Sequence, residues 1–267
     1  MKLPRITVVT PSYQQGRFLD DAMRSVLEQG YPDLEYLVVD GGSTDESVEV
    51  IRRHAGRLAW WTSERDGGQG DAINKGLARA TGDVVGWLNS DDMLLPGALL
   101  KIGEAFADPK VQAVCGWREL VAEDGAPVAS LAFPQPTPEV MRRRAILPQE
   151  TVYWRRSLGE RLGPLDASLR FSMDFEYWLR MLEHGVLPRL IPEFLGVFRW
   201  HPHQKSQTLL DVAREENGRL QARALGRSSP VDPDALRKEL PWAWKTKLKL
   251  YRKATKLGLL GRTRVPG

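Results

Sequence analysis

The chain has 267 residues, enough for one large domain, or a domain with an appendage, that buries a sizeable core. Hydrophobic residues make up 42% and charged residues 27%, which excludes an intrinsically disordered chain. Net charge is only +4 but unevenly spread: Arg and Lys dominate from Leu236 onward, with Glu239 the lone acid. No run approaches the roughly 20 apolar residues of a membrane-crossing helix, and no export signal precedes the first strand-like run. The single Cys115 lies in an apolar run and cannot form an internal disulfide, so a reducing cytoplasm is the expected location and a small core residue the expected role. Nine Trp exceed the usual usage and hint at flat, adhesive surfaces.

Short apolar runs alternate with helical spacing, the pattern of a parallel sheet flanked by helices. The first strand is expected at Ile6 to Thr10. A helix follows with Phe18, Ala22, Val26 and Leu27 on one face, stopped by Tyr31-Pro32, and the second strand runs from Glu35 to Asp40. Ser43 and Glu46 stand at capping-box spacing, which predicts a helix from there through His54. Leu58 to Ser63 reads as the third strand, Asp71 to Ala80 as a helix ended by Gly82, and Val84 to Leu88 as a buried strand leading into Asn89-Ser90-Asp91-Asp92. Pro96 suits the first turn of the next helix.

Beyond Lys110, Val111 to Val121 and Val128 to Phe133 flank Glu123-Asp124-Gly125, a tight turn between antiparallel strands, so the sheet is expected to be mixed. An amphipathic helix is expected from Met173 to His184, with Gly185 ending it and strands following through Leu187 to Trp200. Arg227-Ser-Ser-Pro230 is the best linker candidate before the basic tail.

Ligands of open α/β sheets bind beyond the carboxyl ends of strands, where Asp40 and Asp91-Asp92 fall. Adjacent carboxylates repel unless compensated, and a Mg²⁺ or Mn²⁺ shared with substrate phosphates is one solution. Helix capping by one acid and solvation of the other is the alternative. In Asp66-Gly-Gly-Gln-Gly-Asp71-Ala-Ile-Asn-Lys75-Gly76 the glycines admit close backbone approach and a helix N-terminus faces anions. Lys75 could meet a phosphate there or lie on the exposed helix face. The run does not fit the Gly-x-Gly-x-x-Gly dinucleotide pattern.

Thr10-Pro-Ser-Tyr13, Asp40-Gly-Gly-Ser-Thr-Asp45, Asp66 to Gly76 and Leu88-Asn-Ser-Asp-Asp92 occur in that order. Together they resemble family 2 of the inverting glycosyltransferases, over about Lys2 to Gln207. The resemblance implies a GT-A fold, Rossmann-like with a mainly parallel mixed sheet, for 1–207, with 208–267 a basic helical extension. It implies that Pro11 and Tyr13 line a nucleoside pocket, that Asp40 bonds base or ribose, and that Asp91 reaches ribose or sugar. Asp71 and Lys75 belong to the donor side. Asp92 is then expected to hold Mn²⁺ or Mg²⁺ on the donor diphosphate; Ser90 replaces the first acid of the family's Asp-x-Asp pattern.

Transfer needs a base for the acceptor hydroxyl. Ser172-Met-Asp174-Phe-Glu176-Tyr-Trp178 resembles the family's acidic motif, with Asp174 at the base position; a helix-terminal acid favoured by the dipole is the alternative, Glu176 the rival base, and Trp178 is expected to pack. Phe198-Arg-Trp-His-Pro-His-Gln-Lys-Ser206 resembles the family's Arg-x-His segment that closes over the phosphates. His201 is preferred there over His203, and Gln149 is assigned to face the acceptor.

The expected activity is therefore inverting sugar transfer from a nucleotide donor, a UDP-sugar by preference, to a glycan or lipid-linked hydroxyl. A catalytically silent sugar-binding scaffold and a nucleotidyltransferase are the other classes; the latter would carry its phosphate loop early, where Thr10-Pro-Ser-Tyr13 stands. The tail, with Trp242, Trp244, Leu248, Tyr251 and Leu257 among Lys and Arg, suits either an anionic membrane surface through 236–260 or packing on the catalytic domain. No nucleic-acid motif accompanies the charge, and nucleic acid is not expected as a partner.

Overall fold

The computed structural model describes residues 2–260; Met1 and 261–267, the end of the expected extension, lie outside the described residues. In the first half, β1 (Ile6–Ser12), β2 (Leu34–Asp40), β3 (Trp60–Ser63) and β4 (Val84–Trp87) are linked through α1 (Gly16–Leu27), α2 (Ser47–His54) and α3 (Gln69–Arg79). These four strands are parallel in the order β3-β2-β1-β4. The second half contains β5 (Met93–Leu94), α4 (Ala98–Ala105), β6 (Ala113–Val121), β7 (Pro127–Leu131), α5 (Pro138–Arg143), β8 (Tyr153–Arg155), α6 (Arg156–Leu162), α7 (Met173–Glu183) and β9 (Arg189–Arg199). Its strands extend the sheet as β8-β6-β9-β5, with β7 on β6. β8 is antiparallel to β4 and β6, β9 parallel to β6, and β5 antiparallel to β9, giving the mixed, first parallel sheet expected. Four helices follow: α8 (Lys205–Thr208), α9 (Leu210–Ala224), α10 (Pro233–Lys238) and α11 (Trp242–Lys256).

Both faces of the sheet are covered, which is why β1, β2 and β4 read as nearly continuous apolar runs. Strand alternation divides them between two cores: Val8, Val38 and Val84 pack with Leu19, Met23 and Ile51 on one face, whereas Val9, Val39 and Trp87 pack with Ile73, Trp154 and Trp178 on the other. The Trp excess is mostly core rather than adhesive surface. Trp87, Trp117, Trp154, Trp178 and Trp244 are buried, and Trp178 stacks on Trp87 at 5.6 Å between centroids. Cys115 packs in this core as expected, and burial raises its thiol pKa.

Two local expectations are corrected. Helix α2 begins at Ser47, not at the Ser43–Glu46 capping box, because Ser43 Oγ donates to the Asp40 carboxylate at 2.6 Å and accepts from Gln14 N at 2.8 Å. A buried carboxylate is a stronger partner than an open helix end. Pro96 stands before α4 rather than in its first turn, since Gly97 takes a left-handed conformation (φ 77°) that ends the incoming turn.

The C-terminal helices are packed on the body. Glu216 of α9, only 4% exposed, accepts from the backbone N–H groups of Arg170, Phe171 and Ser172 at 2.8–3.0 Å, fixing the entry to α7. In α11, Trp244 is buried with Val140 and Leu240, and Tyr251 meets Trp117 edge-on at 5.7 Å. Trp242 and Leu250 remain exposed. Among the described residues no helix is long and apolar enough to cross a membrane.

Gly86 of β4 lies opposite the fully buried Tyr153 of β8, and a Cβ there would stand 2.6 Å from the ring. Gly86→Ala is expected to lower stability by about 1–3 kcal/mol through this overpacking, read as a lower urea midpoint at unchanged slope.

Candidate active site

Asp91 and Asp92 stand in the turn between β4 and β5. Because Met93 pairs with Val197 and Leu94 with Gly196, the end of β9 is drawn against this turn. Arg199, the last residue of β9 and 5% exposed, binds it: its N donates to Asp92 Oδ1 (3.2 Å) and its Nε to the Asp91 carbonyl (3.3 Å). Its other guanidinium nitrogens reach Glu123 O (2.9 Å) and Asp21 Oδ2 (2.8 Å). Two residues on, His201 is fully buried against the Phe18 ring (4.8 Å), with Nε2 3.1 Å from Asp91 Oδ2. His203 is exposed.

The two carboxylates differ. Asp92 is 2% exposed, with Asn89 Nδ2 3.3 Å from its second oxygen; burial, then Asp91 and Glu150, push its carboxyl well above the usual range. Asp91 keeps 19% of its side chain exposed beside His201. Among the described residues no three acidic, His or Cys side chains could enclose an ion. A carboxylate and an imidazole side by side fit an open divalent site completed by phosphate oxygens and water.

A hydrogen-bonded chain sequence reasoning missed supports this turn. Gln149, expected to face the acceptor, is buried and donates to Trp87 O (2.7 Å) while accepting from Asn89 Nδ2 (3.0 Å). Asn89 Oδ1 accepts from Gln69 Nε2 (2.8 Å), and Gln69 Oε1 from Lys205 Nζ (2.7 Å). Burial and Arg170 lower the Lys205 pKa, while Glu216 and Asp91 oppose the shift. Lys205 lies within the segment Phe198 to Ser206, but only the fold brings it to Gln69.

On the nucleoside side, Pro11 is buried in β1 and Tyr13 is 62% exposed. Asp40 is fully buried and accepts from Gly42 N, Ser43 N, Ser43 Oγ and Ser63 Oγ at 2.6–3.1 Å, so it organises the loop after β2. The carboxylate at the loop surface is Asp66, 3.0 Å from where a Cβ on Gly41 would sit. Asp71 accepts from Gly67 N (3.0 Å), and Lys75 pairs with Asp71 (3.4 Å) and Glu64 (3.5 Å).

Asp174 occupies the first turn of α7, half-buried, with Oδ1 accepting from Phe175 N (2.7 Å). Burial pushes its carboxyl up to about 6, against the opposing pull of the Phe175 N–H and Arg118. Glu176 is instead committed to Arg180 (2.8 Å) and Arg223 (3.3 Å), and Trp178 is core, as expected.

A nine-stranded mixed sheet with buried acids beyond β4 and a return strand over them defines a GT-A glycosyltransferase architecture. A family model described as Glycosyl transferase family 2 matches residues 7–159, and the chain belongs to that family. An uncharacterized glycosyltransferase of Rickettsia typhi is 24% identical over 225 residues, covering 79% of this chain and 69% of the relative. The putative teichuronic acid biosynthesis glycosyltransferase TuaG of Bacillus subtilis is 29% identical over 205 residues, covering 73% and 79%. The chain spans 54% of the length of an uncharacterized Nostoc glycosyltransferase to which it is 30% identical over 174 residues, 61% of this chain. In fold, S. aureus TarS 1-349 in complex with UDP-GlcNAc superposes with TM-score 0.67 at 17% identity, covering 97% and 76% of the two chains. The mannosyltransferase PcManGT of Pyrobaculum calidifontis, in complex with GDP-Man and Mn2+, does so with TM-score 0.64 at 22% identity, covering 99% and 77%.

The folded Asp174 carboxyl holds its proton to higher pH than the unfolded one, so this group costs stability as pH rises from about 4 through 6. Asp174→Asn is therefore expected to match wild-type stability near pH 4 and exceed it by about 2–3 kcal/mol at pH 7. Paired urea titrations at the two pH values check this; a difference independent of pH contradicts it.

Proposed function

We propose that the chain transfers a sugar, with inversion, from a nucleoside-diphosphate donor to a hydroxyl of a glycan or lipid-linked acceptor in surface-polysaccharide synthesis. The observation that carries the reading is the Asp91–His201 pair, 3.1 Å apart at the strand end, with a raised-pKa carboxyl, Asp174, at the head of α7. A UDP-sugar is the preferred donor, in keeping with the UDP-GlcNAc in the TarS complex; GDP-Man in the mannosyltransferase complex makes the guanosine series the second choice.

In this reading Pro11 and Tyr13 face the nucleoside, with Asp40 shaping the loop beneath it, and Asp71 and Lys75 flank the donor. Asp92, the metal ligand expected from the sequence, lies deeper than Asp91, both its oxygens turned to protein donors. The reading that fits best gives Mn²⁺ or Mg²⁺ to Asp91 and His201, with Asp92 the buried carboxylate behind them. When bound, the ion offsets the charge that gathers on the departing diphosphate. Lys205 adds a second cation on that side. The acceptor hydroxyl oxygen attacks the anomeric carbon from the opposite face, its proton passes to Asp174, and the C–O bond to the diphosphate breaks with its electron pair leaving on phosphate.

The intact acidic positions argue against a silent scaffold, and the absence of an early phosphate loop against a nucleotidyltransferase. The C-terminal basic helix, which exposes Trp242 and Leu250, supports a place at the inner face of a membrane as a peripheral protein.

Metal-dependent hydrolysis of a nucleotide-sugar panel tests the reading and identifies the donor; no turnover of any member with Mn²⁺ or Mg²⁺ refutes it. Asp174→Asn is expected to bind donor within about twofold of wild type yet lose transfer by roughly 10²–10⁴-fold. Wild-type transfer should rise with pH through about 6, as Asp174 must be unprotonated to accept. His201→Ala is expected to weaken metal-dependent donor binding about tenfold or more in calorimetry.

A further inference from the structure

Three amide side chains run through the site in one line, and their polarity is fixed from both ends. At the inner end the Trp87 carbonyl only accepts, so Gln149 presents Nε2 to it (2.7 Å) and turns Oε1 to Asn89. Asn89 therefore gives Nδ2 to Gln149 (3.0 Å) and to Asp92 Oδ2 (3.3 Å), and turns Oδ1 to Gln69. Gln69 meets it with Nε2 (2.8 Å), which leaves Oε1 for Lys205 Nζ (2.7 Å), an ammonium that only donates. From this arrangement we infer that Gln69 is a positioning residue of the transfer reaction, its amide coupling Lys205, the first residue of α8, to the Asp91–Asp92 turn. The inference rests on the glycosyl-transfer reading, in which Lys205 meets the donor diphosphate, and adds to it the residue that sets Lys205 and the turn together.

Gln69 is well placed to span these segments because its own backbone is held by other contacts. It opens α3, where Asn74 exchanges two hydrogen bonds with the backbone of Leu165 (2.8 and 2.9 Å) and a Cβ on Gly70 would stand 3.0 Å from Ala167 Cα. The first turn of α3 is thus pressed on the loop that leads to α7. Lys205 Nζ gives a second bond to Arg170 O (3.3 Å) in that same loop. Two oxygens hold the ammonium, and the third of its N–H groups is the one the reading directs at a phosphate oxygen. Gln204, 4% exposed, accepts from His201 N (3.0 Å), so the short stretch from His201 to Lys205 is itself tied together.

The side chain at position 69 has to accept at one end and donate at the other. Glutamate would keep the acceptor for Lys205 but set an oxygen against Asn89 Oδ1, and methionine would keep the length and neither bond. Amides aligned head to tail polarise one another, so the ammonium at the outer end strengthens the hold of Asn89 on Gln149 and Asp92 at the inner end. The turn that carries Asp91 and the cation directed at the same diphosphate are therefore ordered as one unit before a donor arrives. Separate placement would leave two segments for the donor to order on binding.

The test has two arms on the full chain. Hydrogen exchange without ligand reads the coupling: Lys205→Met and Gln69→Met are each expected to speed exchange of the backbone amides in 88–93 by about fivefold. Calorimetry with UDP and Mn²⁺, and with GDP and Mn²⁺, reads its use. Each variant should weaken nucleotide binding about tenfold, and the Lys205→Met/Gln69→Met double variant should lose no more than about twofold beyond either single one, because Gln69 acts through Lys205. Gln69→Glu, of the same size, should speed the same amides and carries the test where the methionine variant does not fold; melting curves report folding. Exchange in 88–93 within about twofold of wild type in the folded variants, a folded Gln69 variant that binds nucleotide within about twofold of wild type, or losses that multiply to about a hundredfold in the double variant would each overturn the proposal. Failure of the wild type to bind either nucleotide counts against the glycosyl-transfer reading, and the exchange arm alone then judges the coupling.

Discussion

The site depends on one contact, the binding of the Asp91–Asp92 turn by the end of β9. A two-residue strand, Met93–Leu94, is all that pairs with β9 there, yet it brings Arg199 and His201 from more than a hundred residues downstream onto two adjacent acids. Arg199 is nearly inaccessible, and its guanidinium is spread over Glu123, Asp21 and the Asp91 carbonyl. Such a group holds backbone as well as charge. Removing the guanidinium would take this donor from the Asp91 and Glu123 carbonyl oxygens, a cost of about 1–3 kcal/mol concentrated in the turn that carries the chemistry.

Around that contact the protein gathers more negative charge than its own cations neutralise. Asp92, Asp91 and Glu150 act on one another, while Arg118 is tied to Glu150 and Arg199 meets Asp92 only through its backbone N–H. Burial first, and then this charge, gives a carboxyl at Asp92 that resists ionisation, and burial raises the one at Asp174 to about 6. A divalent ion at Asp91 would change the sign of this balance for the carboxylates around it. Asp174, on a separate helix with its own N–H donor, can keep a pKa suited to accepting a proton.

The parallel half of the sheet was legible because its strands are buried on both faces and its helices carry one apolar stripe, so periodicity alone separates them. The acids were legible as strand-end residues, and four motifs in order gave the family. What could not be read was partnership across distance. Ser43 looks like a helix cap until Asp40 is seen to take its hydroxyl. Asp40 reads as a nucleoside ligand, and in the fold it also holds the loop after β2 through Gly42, Ser43 and Ser63. Gln149 looks free to meet an acceptor, yet Trp87 and Asn89 hold it. For Gln149, partners 60 and 62 residues away decided where its chemistry was spent; for Ser43 and Asp40 it was their own hydrogen bond across three residues, joined by Gln14 and Ser63. The Trp excess misled for a related reason: composition counts side chains but does not say which face of a strand or helix they occupy.

The C-terminal helices bear on the same point. Glu216 lies beyond residue 207, where the motifs stop, yet its carboxylate takes three backbone N–H groups in the loop that leads to Asp174. Those donors lead into the helix, and of them Ser172 is buried, so α9 fixes the entry of α7 to the site. Further on, α11 puts Tyr251 against Trp117 and buries Trp244 with Val140 and Leu240. A helix can therefore be amphipathic toward two surroundings at once, with one stripe set by the protein core and another left exposed. That double patterning explains why packing and membrane contact were equally good readings of the same basic sequence, and why the fold satisfies the first without removing the residues that would serve the second.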